Sequence, residues 1–183
     1  RVKKHNLSEL HKESDLFFDW YLKNNSKKKE FKKNKNKIKK ELNNLYKKLY
    51  FQDTSFVHRD FHASNIMIKN SKYGLIDSQD ALKGNLLYDV ASLIDDVRIK
   101  LPLKLKSSLF SYYLSKTTKI KKNKEELLAK NDFDILSIQR NLKILGIFVR
   151  LFKRDHKSNY LKFLPYTWKL LELRLKNPIF FNL

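Results

Sequence analysis

The sequence predicts an α+β fold that is mainly helical and contains one short β-hairpin. Two short apolar runs, residues 66–68 and 75–76, are separated by polar residues at the spacing expected for a hairpin. The segments around these runs carry apolar residues at helical period. Few strands followed by many helices is typical of the α+β class. With 183 residues, the chain is long enough to bury a real core, and we predict one domain over residues 1–183.

Two helices are predicted before residue 56. Ser8 is placed to cap the first helix, which should run to about Lys23 and end at residues 24–26. The lysine-rich residues 27–40 are expected to form a solvated helix face or a partly flexible loop. The second helix has apolar residues at helical period from Ile38 onward and should end before the polar turn at residues 53–55. Its apolar positions recur near helical period: Ile38, Leu42, Leu45, Tyr46 and Leu49.

The segment after the hairpin is predicted to alternate loops with two further helices. Residues 79–84 read as a loop, and residues 86–97 have the apolar spacing of a helix. Pro102 suits the first turn of the next helix, which should run to about Thr117. Residues 120–124 then form a predicted basic loop.

Two more helices complete the predicted fold. Asp132 or Asp134 can cap a long apolar helix that should extend to about Arg154. Ser158 can cap a final helix that should end near Lys176. The C-terminal half of the chain is therefore expected to be helical throughout.

A polar motif beside the predicted hairpin indicates phosphoryl-transfer chemistry. In the run HRDFHASN, Asp60 precedes Asn65 by five positions, and Asp77 follows twelve positions later. Such a site uses its first aspartate to accept the proton of the reacting hydroxyl. The asparagine carbonyl and the second aspartate are hard oxygen ligands for Mg²⁺ on the nucleotide phosphates. We therefore predict Asp60 as catalytic, Asn65 and Asp77 as metal ligands, and ATP and Mg²⁺ as cofactors.

The run HRDFHASNIM, followed by GLIDSQDALKGNLLYDVASLIDD, resembles the aminoglycoside phosphotransferase and choline kinase family, which has the protein-kinase-like fold. Residues 79–93, 139–151 and 160–165 resemble the bacterial branch that phosphorylates the anomeric hydroxyl of N-acetylmuramate and N-acetylglucosamine. The resemblance implies the C-terminal lobe of such a kinase, acting on a cell-wall amino sugar in peptidoglycan recycling. Its expected parts are a helical lead-in, a catalytic and metal-binding core and a helical acceptor-side subdomain, at residues 1–55, 56–97 and 98–183.

Five residues are expected to support this site. His58 should pack and hydrogen-bond to hold the catalytic loop, together with Arg59 and His62. A zinc site at His58 and His62 is the weaker alternative, since no third soft ligand is nearby. Asp80 is either an auxiliary metal or substrate contact or a loop residue. The resemblance implies that Asp89 is buried and bonds the catalytic-loop backbone, although its position also suits a helix cap.

Three arginines and two departures from the family pattern complete the candidate set. Arg140, Arg150 and Arg154 lie on the long predicted helix, where they are surface partners unless one contacts an acidic substrate. Ser78 stands where the family usually has an aromatic residue, and Asn85 where proline or aspartate is common. Neither departure removes a group from the reaction, so both are interpreted as drift.

A kinase-like enzyme also needs a glycine-rich loop and a strand-borne lysine that contact the nucleotide phosphates. The three glycines of the chain, Gly74, Gly84 and Gly146, all follow the catalytic loop, and the residues before it read as helix. We therefore expect that the N-terminal nucleotide-binding lobe is missing and is the partner of this chain. The chain alone should then be inactive.

Composition bounds the remaining function classes. The formal net charge is +21, yet only seven of the 40 basic residues are arginine, as an AT-rich coding sequence would impose. Nucleic-acid binding is therefore the weaker explanation of the charge. The absence of cysteine, of a signal peptide and of a long apolar run predicts a soluble, cytoplasmic protein with no membrane partner. The alternatives are an aminoglycoside, choline or other small-alcohol kinase, and a non-catalytic kinase-like scaffold.

Overall fold

A computed structural model of the chain describes residues 3–52, 54–120 and 123–181. Asp53 of the predicted turn, and Lys121 and Lys122 of the predicted basic loop, lie outside these residues. The described chain divides into two compact units. The first takes its residues from Arg1–Asn6 and Tyr50–Leu136, and the second from Leu7–Leu49 and Ser137–Leu183.

The described residues are mainly helical with small antiparallel sheets, which agrees with the predicted α+β class. The α-helices are α1 (Leu7–Leu16), α2 (Lys23–Asn25), α3 (Lys28–Lys47), α4 (Tyr88–Ile94), α5 (Leu103–Lys116), α6 (Asn123–Asp155) and α7 (Leu164–Arg174). The strands are β1 (Ser55–Val57), β2 (Ile66–Lys69), β3 (Lys72–Leu75) and β4 (Leu82–Gly84). A π-helical segment, Phe17–Leu22, joins α1 to α2, and short 3₁₀ turns cover Ala63–Asn65, Ser158–Phe163 and Pro178–Phe180.

The predicted hairpin is present in the first unit as β2 and β3. The two strands are antiparallel, with Ile66 opposite Leu75 and Lys69 opposite Lys72. Asn70 and Ser71 form the turn between them, with φ values of 49° and 60°. Positive φ at both central residues is the geometry of a type I′ turn, whose twist matches that of a hairpin.

A second strand pair in the first unit corrects the prediction that residues 79–84 are a loop. β4 forms within this segment and pairs antiparallel with β1, Val57 lying opposite Leu82. The N-terminal segment adds to it, because the His5 amide donates to the Lys83 carbonyl oxygen at 2.7 Å. A strand of three residues has too few positions to show an alternating pattern, so only its pairing identifies it.

The helices of the first unit are built around a common apolar core. α4 is shorter than the predicted helix over residues 86–97, since the backbone leaves helical geometry at Asp95. Lys106 of α5 ends α4, donating to the Ile94 carbonyl oxygen at 2.5 Å and to Asp95 Oδ1 at 2.8 Å. Buried apolar side chains from strands and helices form the core: Val57, Leu82, Leu87, Tyr88, Ala91, Ile94, Phe133 and Leu136.

Two predicted helix caps in this part of the chain are wrong. α6 begins at Asn123, so Asp132 and Asp134 lie well inside it instead of at its first turn. Both carboxylates are buried, and each has a partner away from a helix terminus. A buried aspartate with distant partners and a capping aspartate have the same local sequence pattern, which explains the error.

The second unit confirms the predicted helices at its N-terminal side and corrects their ends. Helical backbone begins at Leu7, so Ser8 lies inside the helix and is not its cap. The helix continues as the π-helical segment and α2, and ends at Ser26 with extended backbone. Ser158 likewise does not cap a regular helix, because it begins a 3₁₀ turn that precedes α7.

Of the lysine-rich residues 27–40, Lys27 has extended backbone and the others are helical and belong to α3, which agrees with the first of the two expected alternatives. Leu42, Leu45 and Tyr46 of this helix are buried, whereas most of the lysines are exposed. Two of the lysines form ion pairs: Lys35 Nζ lies 2.9 Å from Asp19 Oδ1, and Lys39 Nζ lies 2.5 Å from Asp15 Oδ1. Amphipathic spacing with a charged outer face is the usual pattern of a surface helix.

Gly146 of α6 contacts the backbone at the junction of α1 with the π-helical segment. A Cβ atom built at this position would lie 2.2 Å from both the carbonyl carbon and oxygen of Leu16, and 2.6 Å from the Phe17 nitrogen. These are backbone atoms, which cannot move aside as a flexible side chain can. The approach of the two helices therefore requires a residue without a side chain.

We predict that Gly146→Ala lowers the free energy of unfolding by about 3 kcal/mol, because the methyl group forces the two helices apart. Gly74→Ala is the matched control, since a Cβ there meets nothing within 4 Å. Urea denaturation followed by circular dichroism measures both variants. Equal stability of the two variants would contradict the packing described at Gly146.

Candidate active site

The loop between β1 and β2 is closed by hydrogen bonds to one carbonyl group. The Asp60 carbonyl oxygen accepts from the His62 amide at 3.0 Å and from Asn65 Nδ2 at 2.9 Å. The second bond places the Asn65 side chain against the backbone of Asp60. The two predicted chemistry-bearing residues of this loop are therefore neighbours in the fold, and both are half-buried.

Asp89 of α4 anchors the start of this loop. Its Oδ2 accepts from the His58 amide at 2.6 Å and its Oδ1 from the Arg59 amide at 3.0 Å. Arg59 has a φ of 74°, in the left-handed region that costs a residue with a side chain about 1–2 kcal/mol. Hydrogen bonds to a carboxylate contribute about 1.5–3 kcal/mol, enough to offset this strain. Asp89 thus holds the backbone that leads directly into Asp60.

His58 connects the loop to the end of the hairpin. Its side chain is buried, and its Nε2 lies 2.9 Å from the Ile76 carbonyl oxygen. A carbonyl oxygen can only accept, so Nε2 is the donor and carries the proton. The ring also packs edge-on against Phe61, with centroids 6.3 Å apart. His58 therefore fixes the distance between the loop and the residue before Asp77.

Asn65 and Asp77 leave the hairpin at the same edge. The Ile76 amide donates to the Asn65 carbonyl oxygen at 3.1 Å, which continues the strand pairing by one step beyond Ile66 and Leu75. Asp77 then turns away with a φ of 71°, and its side chain is exposed. Arg59 and Asp77 therefore both have left-handed backbone beside the same loop. Strained backbone of this kind is typical of functional sites.

The side chains at this edge fit a magnesium ion. Asn65 uses its amide nitrogen to contact Asp60, which leaves its oxygen for another partner. Asp77 Oδ1 accepts from Gln79 Nε2 at 3.0 Å, and its second oxygen is open to solvent or a ligand. One or two carboxylate or amide oxygens completed by phosphates and water are the usual protein contribution to a Mg²⁺ site. Within the described residues, no group of three or more His, Cys, Asp or Glu side chains could hold a metal.

The remaining predicted residues are placed as follows. Arg59 Nη1 reaches the Asp80 carbonyl oxygen at 3.4 Å, and the Asp80 side chain is exposed. Arg140 lies in the second unit and is buried, so its interpretation as a surface residue is wrong. Arg154 is exposed and forms two bonds with Asp155, of 2.7 and 3.0 Å. These bonds raise the pKa of Arg154 and lower the pKa of Asp155.

Asn85 and Asp132 form a buried pair that sequence reasoning did not find. The Asp132 carboxylate accepts from the Tyr50 and Phe51 amides at 2.9 Å and from Asn85 Nδ2 at 2.6 Å. Asn85 Oδ1 accepts in turn from the Leu87 amide at 2.9 Å, immediately before α4. The pair thus fixes both the chain entering β1 and the helix that carries Asp89. Burial raises the pKa of Asp132, and the hydrogen bonds oppose that change.

A signal for this pair was present in the sequence. Asn85 replaces the proline or aspartate common in the resembled family, and we interpreted the change as drift. In the structure, its amide donates to one carboxylate and accepts from one backbone amide. Neither proline nor an ionised aspartate can do both. Asn85 therefore makes two contacts in this chain that neither of those residue types could make together.

Comparison with known proteins decides the family. Residues 5–122, more than half of the chain, match the family described as "Phosphotransferase enzyme family". The chain belongs to this family. The matched residues include the loop between β1 and β2, the hairpin and Asp89, whereas Asp132 and the three candidate arginines lie beyond the match. No helix within the described residues has the length and apolar character needed to cross a membrane.

Two curated relatives of the chain are both named as N-acetylmuramate/N-acetylglucosamine kinases. The chain is 32% identical over 167 residues to the N-acetylmuramate/N-acetylglucosamine kinase of Pseudomonas aeruginosa, covering 89% of this chain and 49% of that protein. It is 30% identical over 156 residues to the kinase of that name from Neisseria meningitidis serogroup B, covering 84% and 47%. The branch suggested by the sequence is therefore confirmed as the one this chain resembles. The chain spans about half the length of these curated relatives.

We predict that Asp89→Ala releases the catalytic loop, because the His58 and Arg59 amides lose their only described carboxylate acceptor. Hydrogen–deuterium exchange at these two amides should accelerate at least about tenfold. Asp80→Ala is the control, since the Asp80 side chain is exposed and does not contact these amides. Unchanged exchange at His58 and Arg59 in the Asp89 variant would show that the loop is held by other contacts.

Proposed function

We propose that this chain is the catalytic C-terminal lobe of an ATP-dependent phosphotransferase that acts on the anomeric hydroxyl of a cell-wall amino sugar. The observation that carries the proposal is the closed catalytic loop. Asp89 holds its backbone from one side, and Asn65 contacts the Asp60 carbonyl oxygen from the other. This arrangement fixes Asp60 and Asn65 relative to each other before any substrate binds, as positioning catalysis requires.

Asp60 is the proposed base. Its carboxylate has no hydrogen-bond partner among the described residues, so it is available to an incoming hydroxyl. In a loose transition state, the carboxylate orients the hydroxyl and accepts its proton late. An anomeric hydroxyl is more acidic than an ordinary alcohol and gives up its proton more easily. Correct placement is therefore the main requirement on Asp60.

Asn65 and Asp77 are the residues we propose to hold Mg²⁺ with the nucleotide phosphates. A bound magnesium ion would neutralise charge on the phosphate oxygens of ATP. The protein's own contribution is the fixed edge of the hairpin, which presents one amide oxygen and one carboxylate. Gln79 orients that carboxylate through its bond to Asp77 Oδ1.

The glycine-rich loop and strand-borne lysine of a kinase would come from an N-terminal lobe. Support comes from the apolar and aromatic side chains that the hairpin exposes: Met67, Ile68 and Tyr73 are 54%, 67% and 78% exposed. Exposed apolar surface of this kind marks a contact with another part of a protein. We therefore propose that the lobe covers the hairpin, and that residues 1–183 alone do not turn over ATP.

The proposed acceptor follows from the relatives, which are named as kinases of N-acetylmuramate and N-acetylglucosamine. We propose the same acceptor class here, used in peptidoglycan recycling in the cytoplasm. Arg140, Arg150 and Arg154 lie in the second unit, whereas Asp60, Asn65 and Asp77 lie in the first. The proposal therefore assigns no role to the arginines.

We predict different kinetic effects at the two aspartates, measured in an enzyme with the nucleotide lobe supplied. Asp60→Asn should lower kcat by about 10²–10⁴-fold with nucleotide affinity nearly unchanged, because the base acts on the acceptor. Asp77→Ala should weaken Mg·ATP binding as well as catalysis. Asp80→Asn is a matched control for removal of a nearby charge. Equal and mild effects at Asp60 and Asp77 would exclude the proposed roles.

We also predict that the same enzyme phosphorylates the 1-position of N-acetylmuramate and N-acetylglucosamine in a substrate panel. Turnover of aminoglycosides or choline, without either amino sugar, would assign the chain to another branch of the family.

A further inference from the structure

A cavity of about 560 Å³ lies in the first unit between β1, β3, α4 and α5. Small-molecule sites are typically about 300–1,000 Å³ in volume. Asp60, Asn65 and Asp77 do not line this cavity, whereas Asp89 and His58 do. It therefore borders the segment that holds the catalytic loop without including the groups proposed for the reaction.

The walls of the cavity are mainly apolar. Leu75, Leu93 and Leu109 line it, and the rings of Phe56 and Tyr112 remain 62% and 64% exposed. The neighbouring Tyr113 hydroxyl already donates to the Leu86 carbonyl oxygen at 3.0 Å. The walls thus present rings and aliphatic chains, and covering them with the apolar body of a ligand would be favourable.

One edge of the cavity is positively charged. Lys116 lines it, with Nζ 5.5 Å from the centroid of the Tyr112 ring. Ser55 lines it as well, and its hydroxyl lies 3.1 Å from Lys119 Nζ. Asp89 also lines the cavity, and its carboxylate keeps its negative charge while it accepts from the His58 and Arg59 amides. An anionic group of a ligand is therefore favoured beside Lys116 and not beside Asp89. The charge at this edge favours an anionic group.

We propose that this cavity binds an amphipathic carboxylate, with its apolar body between α4 and α5 and its carboxylate beside Lys116 and Ser55. The apolar walls favour the apolar body of the ligand, and Lys116 favours its negative charge. Since His58 and Asp89 line the cavity, a bound ligand also packs against the residues that hold the catalytic loop. The site is independent of the proposed phosphoryl transfer, and binding can be measured on residues 1–183.

Decanoate is the probe, titrated into the chain by isothermal calorimetry at physiological ionic strength. We expect saturable binding at one site. Decanol, which lacks the charge, should bind more weakly, and acetate, which lacks the apolar body, should not bind measurably. Lys116→Glu should weaken decanoate binding about tenfold while leaving decanol unchanged. Lys104→Glu makes the same charge change on an exposed residue of α5 that does not line the cavity, and should have little effect.

Filling the cavity separates this site from general attraction of an anion to a basic protein. Leu109→Trp and, independently, Leu93→Phe keep the charge and should reduce decanoate binding at least about tenfold. Circular dichroism confirms that each variant is folded, and two variants on different helices guard against misfolding of one. Bound decanoate should also slow hydrogen exchange at the His58 and Arg59 amides.

Three results would overturn the proposal. Equal losses from Lys116→Glu and Lys104→Glu would show non-specific charge attraction. Unchanged binding in both folded cavity-filling variants would place decanoate elsewhere. A concentration-dependent dimer that Phe56→Glu dissociates, with no decanoate binding, would assign the cavity to a second copy of the chain. None of these results bears on the kinetic roles proposed for Asp60 and Asp77.

Discussion

The two hydrogen bonds that Asp89 accepts are the contact on which the candidate site depends. They fix the His58 and Arg59 backbone, although Arg59 has a φ of 74°. Asp89 can do this only because α4 begins at the correct place, and the start of α4 is set by Asn85 and Asp132. Asp132 on α6 thus positions Asn85, and Asn85 positions the start of α4. Asp89 on α4 then holds Arg59, the residue before the proposed base. Each step is a charged or bifunctional group whose neutral or apolar replacement would leave a buried partner unsatisfied.

Local pattern predicted those features whose cause is local. The hairpin follows from two apolar runs with a polar turn between them, and α3 follows from apolar residues at helical period. In a hairpin, the spacing of Asn65 and Asp77 predicts that they lie at one edge, and the backbone places them there. The roles of Asp60, Asn65 and Asp77 in catalysis and metal binding stay predictions.

The errors arose where the cause is distant in sequence. β4 exists because β1 pairs with it, and its three residues carry no pattern of their own. Asp132 has the local sequence pattern of a helix cap, but its partners include Tyr50, 82 positions away. Arginine is usually a surface residue, but Arg140 is buried because of how α6 packs within the second unit. Long-range pairing and burial are tertiary effects that propensity and periodicity do not contain.

The close contact at Gly146 also limits how this sequence can change over time. The chain has 40 lysine and arginine residues and three glycines, a composition that an AT-rich coding sequence would favour. At position 146 a change to any other residue type is opposed, because even the smallest side chain would collide with the Leu16 backbone. Selection against that collision needs no role in substrate binding or catalysis. A glycine at this place is therefore evidence about helix packing, and its retention in descendants of this sequence would carry no information about their chemistry.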